Sequence, residues 1–148
     1  MSTLLKIGPS ALDDAIKLAC TAHAGALDKQ GDSYILHPLR VMMALKDDGF
    51  SEIYQIVGVL HDVVEDSSTT VEEITEYLGL RVGEAIAKLT HKEDLFYMDY
   101  IREIRSDPIA LEVKKQDIMD NTNFKRFFHG VKYNKYAKAM SILMGQSK

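Results

Sequence analysis

The sequence predicts an all-α fold, about seven or eight short helices packed around one core as a single domain over residues 1–148. Three observations lead there. Apolar residues recur at intervals of three and four through most of the chain, the period of an amphipathic helix. Strand-type alternation never survives beyond a few residues. No repeat, low-complexity stretch or linker-like segment divides the chain, whose length suffices for one real core.

The elements follow in order. Leu12, Ala15, Ile16, Ala19 and Cys20 mark a first helix, with Ser10 as its N-cap after Pro9. Residues Gly25 to Leu36, rich in Gly, Asp and Ser, form a loop. His37-Pro38 opens a second helix, since proline is tolerated in a first turn, and Asp47-Asp48-Gly49 ends it. Ser51 caps a third, strongly apolar helix through Ile53, Ile56, Val57, Val59 and Leu60, expected to run on through His61-Asp62 to Glu65-Asp66. Thr70 with Glu73 resembles a capping box for a short helix that Gly79 stops. Val82 to Leu89, Tyr97 to Arg105, a segment started by Asp107-Pro108, and Val131 to Leu143 complete the set.

Composition narrows the function. A net charge of -4 with no basic patch argues against a nucleic-acid surface. The N-terminus lacks a secretory apolar core and no run approaches membrane-span length, so the expected compartment is the cytoplasm, without membrane association. Cys20 is the only cysteine and reads as a buried thiol; no disulfide within the chain is possible, which suits a reducing compartment. Oligomeric state leaves no signature.

The chemistry concentrates at His61-Asp62-Val63-Val64-Glu65-Asp66. On a continuous helix, positions 61, 62, 65 and 66 share one arc of about 140°, so an imidazole and three carboxylates face one cavity. Three carboxylates that close repel one another unless a cation or shared protons intervene. Acidic residues at a helix C-terminus also oppose its dipole. His37, His61, Asp62 and Asp117 are the candidate metal ligands, from three different helices, so convergence is left open. Imidazole with carboxylate suits a borderline-hard divalent ion such as Mn²⁺ or Fe²⁺ and excludes a thiolate zinc site. Glu65 and Asp66, one turn on, are placed to orient or deprotonate a water, and Asn121, four residues after Asp117, can hydrogen-bond a substrate hydroxyl. Each has a bland alternative. A histidine before proline is commonly a satisfied polar group, His-Asp pairs arise by chance, and an acidic run normally ends a solvated helix. His23 reads equally as core or as support for the site; His91 and His129 read as surface residues, and the Phe124, Phe127, Phe128, Tyr133 and Tyr136 aromatics as packing.

Three segments together resemble a known family: AHAGALDKQGDSYILHPLRVM from Ala22, LHDVVEDS from Leu60 and VKKQDIMDN from Val113. They resemble the HD-domain phosphohydrolases, and within these the small stand-alone relatives of RelA/SpoT-type guanosine polyphosphate hydrolases, over about Ala11 to Leu143. The resemblance implies a helical HD fold and one metal ion, typically Mn²⁺, held by His37, His61, Asp62 and Asp117, with Glu65 and Asp66 handling the nucleophilic water. It implies removal of pyrophosphate from the ribose 3′ position of (p)ppGpp, a small-nucleotide substrate. It gives Asn121 a ribose contact, and Lys29 a place lining the base and phosphate pocket. Lys132 and Tyr136 match an Arg and Tyr of the last helix, and Lys92 is a looser phosphate contact.

Several positions depart from the pattern. Asp28 stands where the family has an arginine that stacks on the purine, which removes a planar cation. Ser33 replaces a common proline, Lys115-Gln116 a small apolar pair, and Ile118-Met119-Asp120-Asn121 the usual Arg-x-His-Asn. Two other readings therefore accompany the main one: hydrolysis of a different nucleotide, with the Asp28 carboxylate accepting from an exocyclic amine, and a nucleotide-binding regulatory module without turnover. The absence of a synthetase segment leads to the expectation that the chain makes no alarmone itself.

Overall fold

The structure, a computed structural model, describes residues 9–123 and 133–148. Among them nine helical segments follow one another: α1 (Ala11–Ala22), α2 (Leu36–Asp47), α3 (Glu52–Leu60), α4 (Val63–Asp66), α5 (Val71–Leu78), α6 (Leu80–Leu89), α7 (Tyr97–Ile104), α8 (Pro108–Asn121) and α9 (Tyr133–Leu143). The only extended pairing among the described residues is one isolated bridge, Leu27 with Ser33, inside the α1–α2 loop.

The central element is α3. Ile56, Val57, Val59 and Leu60 are fully buried, as the apolar C-terminal half of this helix requires. It packs against α1, α2, α6 and α8. Gly58 lies close against α2: a Cβ there would stand 2.7 Å from Leu45 Cδ1, which would have to shift. A buried helix ending inside the molecule carries its next residues, His61 and Asp62, into the interior.

One element departs from expectation. The third helix does not continue to Asp66: it stops at Leu60, His61-Asp62 form a turn, and the chain restarts as the four-residue α4. A side-chain interaction accompanies the break, since His61 Nδ1 donates to the Gly58 carbonyl at 2.7 Å. So short a helix has little macrodipole, and the opposition expected between Glu65-Asp66 and a long helix is absent. This split also accounts for nine segments against seven or eight expected.

Elsewhere local chemistry sets the boundaries. Thr70 Oγ1 accepts from Glu73 N–H at 3.1 Å, and Gly79 at φ 102 separates α5 from α6. Asp107 caps α8, its Oδ1 accepting from Ile109 and Ala110 N–H, with Pro108 following. Ser10 and Ser51 occupy their N-cap positions without a side-chain cap bond. Cys20 is exposed, not buried: α1 buries the line Ala11, Ala15, Ala19, and Cys20, about 100° further round, falls outside it. No helix among the described residues is long and apolar enough to cross a membrane.

Candidate metal centre

Four donors from α2, the α3–α4 turn and α8 meet at one point. His37 Nε2 lies 3.3 Å from His61 Nε2 and 3.0 Å from Asp117 Oδ1; His61 Nε2 lies 3.4 Å from the same oxygen. Asp62 Oδ2 stands 3.2 Å from His61 Nε2 and 3.7 Å from His37 Nε2. His37, His61 and Asp117 form the compact buried triplet, with Asp62 completing one side.

The donors' surroundings settle which atoms face inward. A carbonyl only accepts, so His61 Nδ1, bonded to Gly58 O, carries the hydrogen. His37 Nδ1 lies 2.7 Å from Asp120 Oδ2, a carboxylate below its ordinary pKa, and carries a hydrogen likewise. In each neutral ring the remaining lone pair is on Nε2, directed at the cluster. A divalent ion with bonds near 2.1 Å has neighbouring ligand atoms about 3.0 to 3.4 Å apart, close to the separations found. The donor set therefore fits a divalent ion.

Electrostatics describe the same cluster without an ion. Burial disfavours a charged His37 or His61, yet the carboxylates outweigh it and raise both pKa values, His61 strongly. Burial would raise Asp117, but Lys114, His61 and His37 hold it well below the usual carboxylate range. Lys114 Nζ bonds Asp117 Oδ2 at 2.8 Å and lies 5.2 Å from the Tyr100 ring centroid. Asn121 Nδ2 donates to Asp117 Oδ1 at 3.0 Å, so its amide braces the aspartate. The Tyr34 hydroxyl donates to Asp62 Oδ2, its ring 4.9 Å from that of the buried His23.

Glu65 and Asp66 follow the cluster on α4 and are more exposed. Glu65 Oε1 accepts the His91 N–H at 2.6 Å. Burial, then Asp62 and Glu65, push Asp66 up to about 6. His91 is thus no free surface residue: its ring stacks on Tyr100 at 4.5 Å and its Nε2 donates to Leu95 O.

The remaining predicted residues are spread more widely. Tyr136 is half-buried; its hydroxyl is raised by burial and then by Asp117, with Asp62 also acting on it. Lys29 is exposed at the turn of the α1–α2 loop. Lys92 lines a separate cavity of about 430 Å³ with Lys88, Leu95 and Tyr100. Lys132, together with Phe124, Phe127, Phe128 and His129, lies outside the described residues. Asp28 has a local role: its Oδ1 accepts from Gln30 and Asp32 N–H, both at 2.9 Å, and fastens the loop. Tyr34, Arg40, Lys114 and Asp120 were not singled out by sequence reasoning as support for the site. The signal for three of them was helix spacing: Arg40 lies three residues after His37, and Lys114 and Asp120 three residues either side of Asp117, each on a shared face.

A family profile described as an HD domain matches residues 15–121, which contain all four donors. The chain belongs to the HD domain family. Among curated relatives, a guanosine-3′,5′-bis(diphosphate) 3′-pyrophosphohydrolase of Aquifex aeolicus is 33% identical over 84% of this chain and 19% of its own length. A probable GTP pyrophosphokinase of Mycobacterium leprae is 30% identical over 82% of this chain and 17% of its own. The HD domain chain thus spans about a fifth of these relatives. A solved structure, described as a metazoan ortholog of SpoT that hydrolyzes ppGpp, superposes with a TM-score of 0.75, covering 96% of this chain and 90% of the other at 20% identity. At that identity the likeness shows a shared fold.

Proposed function

We propose that this HD domain is a metal-dependent phosphohydrolase of small nucleotides, and that its reaction is removal of the 3′-pyrophosphate from guanosine 3′,5′-bis(diphosphate), giving GDP and pyrophosphate. The observation that carries the reading is the meeting of His37, His61, Asp62 and Asp117 donors at 3.0–3.7 Å, with both imidazoles presenting Nε2. The names of the curated relatives supply the substrate class.

His37, His61, Asp62 and Asp117 would hold the ion, Mn²⁺ by preference, with Fe²⁺ suited to the same donors. When bound, such an ion supplies charge against the phosphoryl oxygens and makes water a competent nucleophile at neutral pH. Water adds at the phosphorus bonded to the ribose O3′, that P–O bond breaks, and the leaving ribose oxygen takes up the proton given off by the water. Asp66, raised to about 6, is poised to take the proton of the attacking water near neutral pH. Glu65, fixed by the His91 N–H, orients that water. Asn121 and Tyr136 stand beside Asp117 for the ribose, and Lys29 is the cation for the polyphosphate. Since no arginine occupies position 28, base recognition falls to other groups.

The test is incubation of Mn²⁺-loaded protein with a nucleotide panel, beside the Asp62→Ala variant. GDP and pyrophosphate should appear from ppGpp with the parent protein, and the variant should lose metal and turnover together. Failure to release them from ppGpp overturns the substrate, and turnover of a different nucleotide names its replacement. Tight binding of one nucleotide without any turnover would make this a regulatory module.

A further inference from the structure

Asp120 enters the reading above only as the acceptor that fixes the His37 tautomer. It stands where the resembled family carries a histidine, and of the cluster's donors it bonds His37. Its carboxylate lies on the outer side of that ring, Oδ2 2.7 Å from Nδ1. The same group is gripped from α2 by Arg40: Nε to Oδ1 at 2.9 Å and a second guanidinium nitrogen to Oδ2 at 3.1 Å. Asp120 is mostly buried, 11% exposed at its side chain against 33% for Arg40. Arg40 lies one helical turn after His37 on α2, and Asp120 one turn after Asp117 on α8. One arginine–carboxylate fork therefore ties the two helices together beside the centre.

Bidentate geometry fixes both position and rotation of the carboxylate. A carboxylate accepting from one imidazole nitrogen holds the tautomer, stops the ring from turning, and strengthens the opposite nitrogen as a donor. His61 receives only a neutral carbonyl at its Nδ1. The two histidines are thus unequal, with His37 backed by a charge and His61 by a dipole.

We propose that Asp120, clamped by Arg40, is a positioning residue that orients His37 and strengthens its Nε2 as a donor to a divalent ion. The inference rests on the metal reading above, but not on the nucleotide. Arg40 balances the charge of Asp120, so the pair faces the ring without adding net negative charge.

Metal-free protein titrated with Mn²⁺ in a calorimeter tests this, with thermal melts of each metal-free variant run alongside. Asp120→Asn keeps an acceptor of the same shape and removes the charge; Mn²⁺ affinity should fall about 10- to 100-fold, the usual consequence of losing such a partner. Asp120→Glu should restore affinity to within a few-fold of the parent. Should the asparagine variant not fold, Asp120→Ser, too short to reach His37, should show the same weakening. Affinity equal to the parent in either variant overturns the proposal, as does a lowered metal-free melting temperature with affinity intact, which marks a purely structural brace. A parent protein that takes up no Mn²⁺ removes the metal reading itself, and this inference with it.

Discussion

Tyr34 shows how much one hydroxyl can control at this centre. Burial, and then the charge of Asp62, push its pKa far up, so it stays a phenol and donates to Asp62 Oδ2. That bond removes one orientation from a carboxylate that has few other partners. Tyr34→Phe should cost about 1 kcal/mol of stability and weaken Mn²⁺ uptake by about tenfold; calorimetric titration and thermal melts measure both, and a variant equal to the parent in both would show that Asp62 needs no such partner. Residue types made the candidate donors legible, because imidazoles and carboxylates gathered in a few short segments suit a divalent ion. Their supports were harder to see. A tyrosine, an arginine and a lysine are ordinary surface residues by type, and only three-residue spacings on α2 and α8 tie Arg40, Lys114 and Asp120 to the cluster. Asp28 shows the same limit: its change of charge was legible, whereas the two N–H groups of its own loop that its Oδ1 accepts were not.

At the scale of elements, apolar spacing and turn chemistry placed most helices, and the miss falls where a side chain overrides them. Nothing in the period of Ile56 to Val64 announces a break at His61-Asp62; the Gly58 carbonyl bonded to the His61 ring is a tertiary detail of one turn. The start of α8 was readable, because aspartate before proline satisfies first-turn N–H groups whatever surrounds it. Asp107 does more than cap. Its Oδ1 and Oδ2 each accept from Arg81 at 2.8 Å, joining α6 to α8. Burial alone would raise its pKa, but Arg81 and the N–H groups of Ala110 and Ile109 outweigh burial and lower it from 3.8. A carboxylate depressed in the folded state stabilises above its unfolded pKa and loses that contribution as pH falls through the folded value. Asp107→Ala should therefore lose about 1 to 2 kcal/mol at neutral pH. Its gap to the parent should narrow as the pH drops below 3.8. Denaturant melts from pH 7 to pH 3 follow this, and a gap that stays constant would show that Asp107 acts by shape alone.

Across the whole molecule, the centre joins α2, α3 and α8, so whatever satisfies its four donors also holds the bundle together. In metal-free protein that task falls to protons. Burial opposes charge on His37 and His61, but the facing aspartates raise both above 6.5. Groups raised in the folded state stabilise fully below their unfolded pKa and lose that contribution as pH climbs through the folded values. Metal-free protein should thus weaken as pH rises from about 6.5 upward. An ion needs the same nitrogens deprotonated, so its uptake strengthens over that range, and any ligand that binds only the folded state adds RT ln(1 + [L]/Kd) to stability. Both effects have one sign: the rise in melting temperature on adding Mn²⁺ should be small at pH 6 and larger at pH 8, and chelation should reverse it. Melts at fixed total Mn²⁺ across that interval measure the increment directly. An increment that is flat, or that shrinks with rising pH, would mean that the four donors are satisfied by one another and that the ion binds elsewhere.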